Sequence, residues 1–220
     1  MQQSKRDSRI IGILILGSFV TGLLSVAPSV DSPDFIQLAA GEATQTVWAA
    51  VFQFLMGCCY AGIIILFYPR IKTVAPKLAL GALSFRFLSI GLSLVGTILL
   101  GAVLIFSQQF VDLGMPEDAI WIGVGTTLKQ TRDMINHGWM IMSLGIGNFI
   151  LYAGLLKGRL IPAWMGWLGV FGTALSCLAS VFILFQMVEV ISEAYLLMNL
   201  PTAVFELILA GCLIFRGLKT

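Results

Sequence analysis

Residues 78–106 read LALGALSFRFLSIGLSLVGTILLGAVLIF, and their reading decides the fold. Arg86 is the one ionisable side chain in the run. A helix needs ~20 predominantly apolar residues to cross a hydrocarbon core about 30 Å thick, and this run exceeds that. Similar apolar runs occupy about 10–27, 46–68, 134–156, 162–187 and 197–216. A backbone in lipid must satisfy its own hydrogen bonds, so these runs are helices. The expectation is an all-α polytopic membrane protein, a bundle of six transmembrane helices forming one transmembrane domain over residues 1–220.

Composition agrees. Of 220 residues, 58% are hydrophobic and only 11% charged, with a mean hydropathy of +0.96. A typical soluble domain is about 25% charged. A soluble chain of this size has too little interior to hide so much apolar surface, so membrane lipids are the expected surroundings. No basic cluster suits nucleic acid, which is excluded as a partner. The N-terminal Lys5, Arg6 and Arg9 ahead of an apolar run resemble a signal peptide. Pro28 directly after Ser25-Val26-Ala27 makes a poor cleavage site, so this run reads as a retained first helix.

Charge in the loops orients the bundle. Lys5, Arg6, Arg9, Arg70, Lys72, Lys77, Lys157, Arg159, Arg216 and Lys219 fall on one side; only Lys129 and Arg132 fall on the other. The positive-inside rule then puts both termini in the cytoplasm, with loops 28–45, 107–132 and 188–196 outside. Most of the acids, Asp31, Asp34, Glu117, Asp133 and Glu189 among them, lie on the outer side. The inner connections break at Tyr68-Pro69-Arg70, Ala75-Pro76-Lys77 and Lys157-Gly158-Arg159. The stretch Ile120–Gln130 has helical spacing, and it either lies in the interface or extends the fourth span outward.

The helix faces carry the functional signal. In the third span Ala82, Arg86, Ser89, Ser93, Gly96 and Thr97 recur at steps of three and four and share one face. Arg86 sits roughly 14 Å inside the membrane at 1.5 Å per residue. An arginine there costs at least ~2.5–3.5 kcal/mol unless compensated. Glu206 lies at similar depth in the last span, on a face with Asn199, Thr202, Ala203 and Ala210. Arg86 and Glu206 are expected within salt-bridge or one-water distance of each other. The fourth span aligns Asp133, His137, Leu144, Asn148 and Tyr152; the second offers Gln53, Gly57 and Tyr60. In the fifth, Gly169, Gly172, Thr173, Ser176 and Ser180 form a small-residue stripe of the kind that packs helices.

Catalytic chemistry finds little support. One histidine and four dispersed cysteines, Cys58, Cys59, Cys177 and Cys212, provide no transition-metal set, and no disulfide framework is expected. Ser89, His137 and Asp133 lie at different depths and lack a nucleophile-elbow sequence. No lysine lies within a span to carry a Schiff base. No metal or cofactor is expected.

Several local motifs resemble one family. They are Arg9-Ile-Ile-Gly12, Leu66-Phe67-Tyr68-Pro69, Arg86, His137-Gly138, Arg159-Leu160-Ile161-Pro162-Ala163-Trp164-Met165-Gly166, Pro201, Glu206-Leu207 and Arg216-Gly217. In this order they resemble the prokaryotic membrane proteins grouped as domain of unknown function 4386. The family pattern often has Gln or Glu three positions after the third-span Arg; Ser89 stands there in this chain. The resemblance implies six spans and recurring positions at Arg86, His137 and Glu206, and it assigns no activity.

The expectation for function is an intramembrane polar cavity that binds or transports a small anionic or amphipathic molecule. Arg86, Glu206, His137, Gln53 and Asn148 are the expected ligand-contacting residues. The alternative is a structural or sensory helper of another membrane component, using an outward-facing small-residue stripe. An intramembrane enzyme is least favoured, because no nucleophile or metal set is present.

Overall fold

The computed structural model describes residues 2–116, 118–190 and 192–218. Glu117 and Lys219, both counted in the charge asymmetry, lie outside the described residues. The helices are α1 (Gln2–Leu24), α2 (Pro28–Asp31), α3 (Phe35–Gly41), α4 (Ala43–Lys72), α5 (Pro76–Asp112), α6 (Ala119–Asp133), α7 (Met140–Lys157), α8 (Ala163–Leu184) and α9 (Glu193–Phe215). A π-helical turn, Met134–Trp139, joins α6 to α7 without a break in the chain's helical path. Six helical stretches among the described residues are long and apolar enough to cross a membrane: α1, α4, α5, α6 through α7, α8 and α9. The protein is an all-α, six-span membrane protein.

The six spans form a closed ring. Each packs on its neighbours in sequence, and α9 returns to pack on α1. Close approach at this last seam depends on Gly12. A Cβ there would come 2.8 Å from the Ala210 carbonyl oxygen and 2.7 Å from the Ile214 side chain. Just beyond, Gly217 takes φ +77° as α9 ends, and its N–H reaches back 3.1 Å to the Cys212 carbonyl. This is the left-handed stop that glycine adopts at no steric cost. It turns Leu218 so that its N–H donates to Ser8 Oγ at 3.1 Å, closing the ring between its two ends.

The two halves of the bundle differ in packing. The half that holds the termini is solid. Ile11, Ile64, Phe67, Ile71, Leu155, Phe205 and Leu213 are all essentially fully buried there. At the opposite end, a smaller core of Ala27, Val30, Phe35, Ala39, Ala49, Leu100 and Val103 seats α2 and α3 on α4 and α5. Ser107 fixes this cap: it accepts from the Ala40 N–H at 2.8 Å and donates to the Ile36 carbonyl at 2.5 Å. The remaining space in that half is the cavity described below. The outward faces are apolar, with Trp48, Trp139, Trp164 and Trp167 all more than half exposed.

Several boundaries differ from those read in the sequence. Helix α4 does not break at Tyr68-Pro69-Arg70 but runs to Lys72. Pro69 sits in the last turns, exposed, where its missing N–H frees only the Ile65 carbonyl near a helix end. Arg70 and Lys72 there complement the helix dipole, and Arg70 pairs with Asp7 of α1 at 3.1 Å. The segment 28–45 is not an open loop but carries α2, α3 and the start of α4. The fourth span begins at Ala119, so the outward extension is the form adopted. Asp118 caps it by accepting from the Ile120 N–H at 3.0 Å, and Trp121 packs on Phe106 and Phe110 of α5.

A candidate intramembrane binding site

Three layers of polar side chains stack inside the ring. The deepest lies next to the solid half. Arg86 of α5 is 5% exposed, and its guanidinium donates to Asn148 Oδ1 of α7 at 2.8 Å. The same cation lies over the Tyr60 ring of α4, 5.1 Å from its centroid. Gly147 lets α7 approach α5 at this level, since a Cβ there would meet the Phe85 side chain and the Arg86 backbone at 3.3–3.4 Å. Arg86 is thus compensated by an amide oxygen and an aromatic face.

Glu206 of α9 is the third member of this layer. Of the two arrangements expected with Arg86, a salt bridge or a one-water separation, the direct salt bridge does not form among the described residues. Both side chains line one small void of about 20 Å³, together with Tyr60, Tyr152 and Ser18. That is room for one water molecule, with the polar groups of these five residues on a wall otherwise made by Ile15, Ile63, Phe67, Leu151 and Leu209. Arg86 is turned toward Asn148 and the Tyr60 ring, so it faces Glu206 across this void rather than in direct contact.

The middle layer joins three spans. Gln53 of α4 donates to Asn136 Oδ1 at 2.9 Å and to the Ser93 carbonyl of α5 at 3.4 Å. These bonds fix the amide orientation and leave the Gln53 oxygen as an acceptor. Gly96 makes the arrangement possible, because a Cβ at that position would collide with the Asn136 carboxamide.

The third layer lies at the end away from the termini. His137 Nδ1 is 3.0 Å from the Tyr195 hydroxyl of α9, with the rings edge to face. Arg132, its side chain 4% exposed, pairs with Asp31 at 2.6 Å and with Asp133 at 2.9 Å. Lys129 adds a second contact to Asp133 at 2.9 Å. Arg132 therefore ties α2 to the top of the fourth span.

A cavity of about 300 Å³ connects these layers. Gln53, His137, Asn148 and Glu206 all line it, as do Tyr60, Asn136, Arg132, Tyr195 and Asn199. Phe19, Met56, Met140, Ile141 and Leu144 make an apolar waist. Of the five residues expected to contact a ligand, four share this wall. Arg86 does not: it lies below the floor, behind Tyr60 and Asn148. Ser25, Val26 and Val190 form the rim at the far end. Beyond the rim is an outer depression of about 510 Å³, lined by Asp31, Lys129, Asp133, Gln186, Glu189 and Val190 among others. Asp31 and Val190 face both spaces.

The π turn explains what the sequence pattern missed. A regular helix places adjacent residues 100° apart, so Asn136 and His137 would not share a cavity wall so closely. The wider turn carries one extra residue, which re-aims the side chains that follow. Asp133, expected on one face with His137, instead points into the outer depression. The Ser89 hydroxyl donates to the Arg86 carbonyl at 2.9 Å. The four cysteines are free thiols.

These features define a class: an α-helical multi-pass membrane protein with a polar cavity that is closed toward the termini by packed side chains. The chain belongs to the family described as Domain of unknown function (DUF4386), whose profile matches residues 10–217. No curated protein and no solved structure matches it.

Proposed function

We propose that the protein binds a small amphipathic molecule in this cavity, as a carrier or receptor in a prokaryotic cytoplasmic membrane. The observation that carries the reading is a cavity with polar poles and an apolar waist inside a membrane-spanning ring. Its volume of about 300 Å³ lies at the lower end for small-molecule sites, ~300–1,000 Å³. Buried polar groups without ligand or water are costly in lipid, so a purely structural bundle would fill such a space with apolar side chains. Both termini face the cytoplasm in this proposal, since Arg70, Lys72, Lys77, Lys157, Arg159 and Arg216 share the terminal end. The cavity then opens toward the outside.

The sequence-based expectation was a small anionic or amphipathic molecule, and its anionic form drew on Arg86 in the wall. With Arg86 below the floor, the amphipathic character is the better supported part of the reading. The helper-protein alternative loses its docking stripe. Gly169 packs under the Phe205 ring, and Gly172 against the Pro201–Thr202 backbone, so the small residues of α8 face α9 within the ring.

Native mass spectrometry of protein released from nanodiscs tests the proposal. Wild type is expected to carry one amphiphile per chain. Ala203→Phe, which fills the cavity wall, is expected to lack it. The same bound species in both would overturn the assignment.

A further inference from the structure

We infer that the middle polar layer is the head-group site for a neutral amphiphile, one whose head group both donates and accepts a hydrogen bond, as a hydroxyl or a carboxamide does. This rests on the binding reading above and adds the chemical class of the ligand.

Two amides define the site, and their partners fix which way each one points. The Ser93 carbonyl can only accept, so the Gln53 nitrogen faces it. That same nitrogen is 2.9 Å from Asn136, so the Asn136 oxygen is the acceptor there. Gln53 Oε1 and Asn136 Nδ2 are left over at the two ends of this bonded pair, one an acceptor and the other a donor. Neither has a further partner among the described residues. Gln53 and Asn136 are 5% and 3% exposed, yet neither left-over atom is sealed inside packed protein. Both residues line the cavity, so these two atoms face its space.

A donor and an acceptor inside a membrane-spanning ring each call for a partner. A hydroxyl satisfies both through one oxygen, accepting from Asn136 and donating to Gln53. A carboxamide does so through its oxygen and its nitrogen. An ester can only accept, and it leaves the Gln53 oxygen unmatched. Among the described residues the two amides bond only to each other and to the Ser93 carbonyl. A charged head group seated between them would shed its water and meet neutral dipoles, which is costly. The charged groups stand in the layers on either side: Arg86 faces Glu206 across the floor void, and Arg132 meets Asp31 and Asp133 at the far end. Met56 follows Gln53 by three residues and Met140 follows Asn136 by four, with Leu144 a further turn on. All three line the cavity and supply an apolar path for the hydrocarbon chain.

The test is thermal unfolding of the protein in phosphatidylcholine nanodiscs at neutral pH, with octanol, octanamide, methyl octanoate, octylamine and octanoate as probes of matched chain. Octanol and octanamide are expected to raise the midpoint saturably by several degrees, and the other three to leave it unmoved. A shift from only one of the first two supports the site and names its head group. Gln53→Met, which keeps the length of the side chain and removes the acceptor, is expected to lose the shift, while Asp34→Asn, on the exposed far-end surface, keeps it. Should Gln53→Met fail to fold, Ala203→Phe must abolish the shift instead, with both amides intact. A shift that a folded Gln53→Met retains, or that methyl octanoate, octylamine or octanoate produces equally well, overturns the head-group assignment and leaves the binding reading standing. A shift that survives Ala203→Phe overturns the inference, because the amphiphile then acts through the bilayer. No shift with any probe removes the binding reading itself and this inference with it.

Discussion

Arg132 and Gly96 are the two residues on which the interior depends most visibly. Substituting Arg132 by Gln leaves Asp31 and Asp133 facing each other with one cation fewer, in a site where the Asp31 side chain is 8% exposed. Breaking a buried pair from one side costs ~3–5 kcal/mol. A drop of that size is expected in reversible denaturant unfolding, and Asp31→Asn on top of Arg132→Gln is expected to recover part of it. Equal stability of single variant and wild type would show that the pair is idle. For Gly96→Ala the new methyl displaces the Asn136 carboxamide and breaks its bond with Gln53. The expected loss is ~1–3 kcal/mol, readable in the same assay, with Gly101→Ala as a control because nothing lies near a Cβ there. At this scale the sequence was informative where residues follow regular periodicity. Arg86, Ser89, Ser93 and Gly96 were all placed on one face and are all buried. It was silent on Arg132 and Asp31, which read as ordinary loop charges. Their burial depends on α2 folding back over the fourth span, a long-range contact that local patterning does not encode.

At the scale of elements, the fifth and last spans are held by glycine rather than by bulk. A methyl at Gly172 would approach the Thr202 N and Pro201 C atoms to 2.9–3.0 Å. Backbone cannot rotate away as a side chain can, so α8 and α9 must separate. Gly172→Ala is expected to cost ~1–3 kcal/mol by overpacking and to lower the thermal midpoint, whereas Gly211→Ala, facing open space, should not. A neutral Gly172→Ala would mean the helices slide to absorb it. The spans themselves were legible because hydropathy over ~20 residues is a strong signal. The π turn was not, since no residue type marks it and the apolar pattern on either side continues. Asp133 lines the outer depression, where it pairs with Lys129 and Arg132. Pro69 misled for the opposite reason: proline reads as a break, but near a helix end it removes little.

The whole molecule is a ring whose two ends differ in packing and in charge. On the proposed orientation, with the termini inside, a cysteine introduced at Asp34 is expected to react with an impermeant maleimide from outside the cell. One at Lys72 should react only after the membrane is opened, both in a background lacking the four native cysteines. Labelling of Asp34 from the cytoplasmic side alone would invert the topology and the direction of the cavity mouth. The closure of α9 on α1 has a consequence for biogenesis. The chain leaves the ribosome from its N-terminus, so α1 must wait in the bilayer until every other span has been delivered before its second neighbour arrives. During that interval the future cavity is a trough facing lipid, and Arg86 and Arg132 lack the last wall that screens them. Nascent chains stalled before α9 should therefore be protease-sensitive clients of insertion chaperones. Supplying residues 186–220 as a separate polypeptide should rescue them, because the final helix completes the ring by docking rather than by continuing a neighbour's growth.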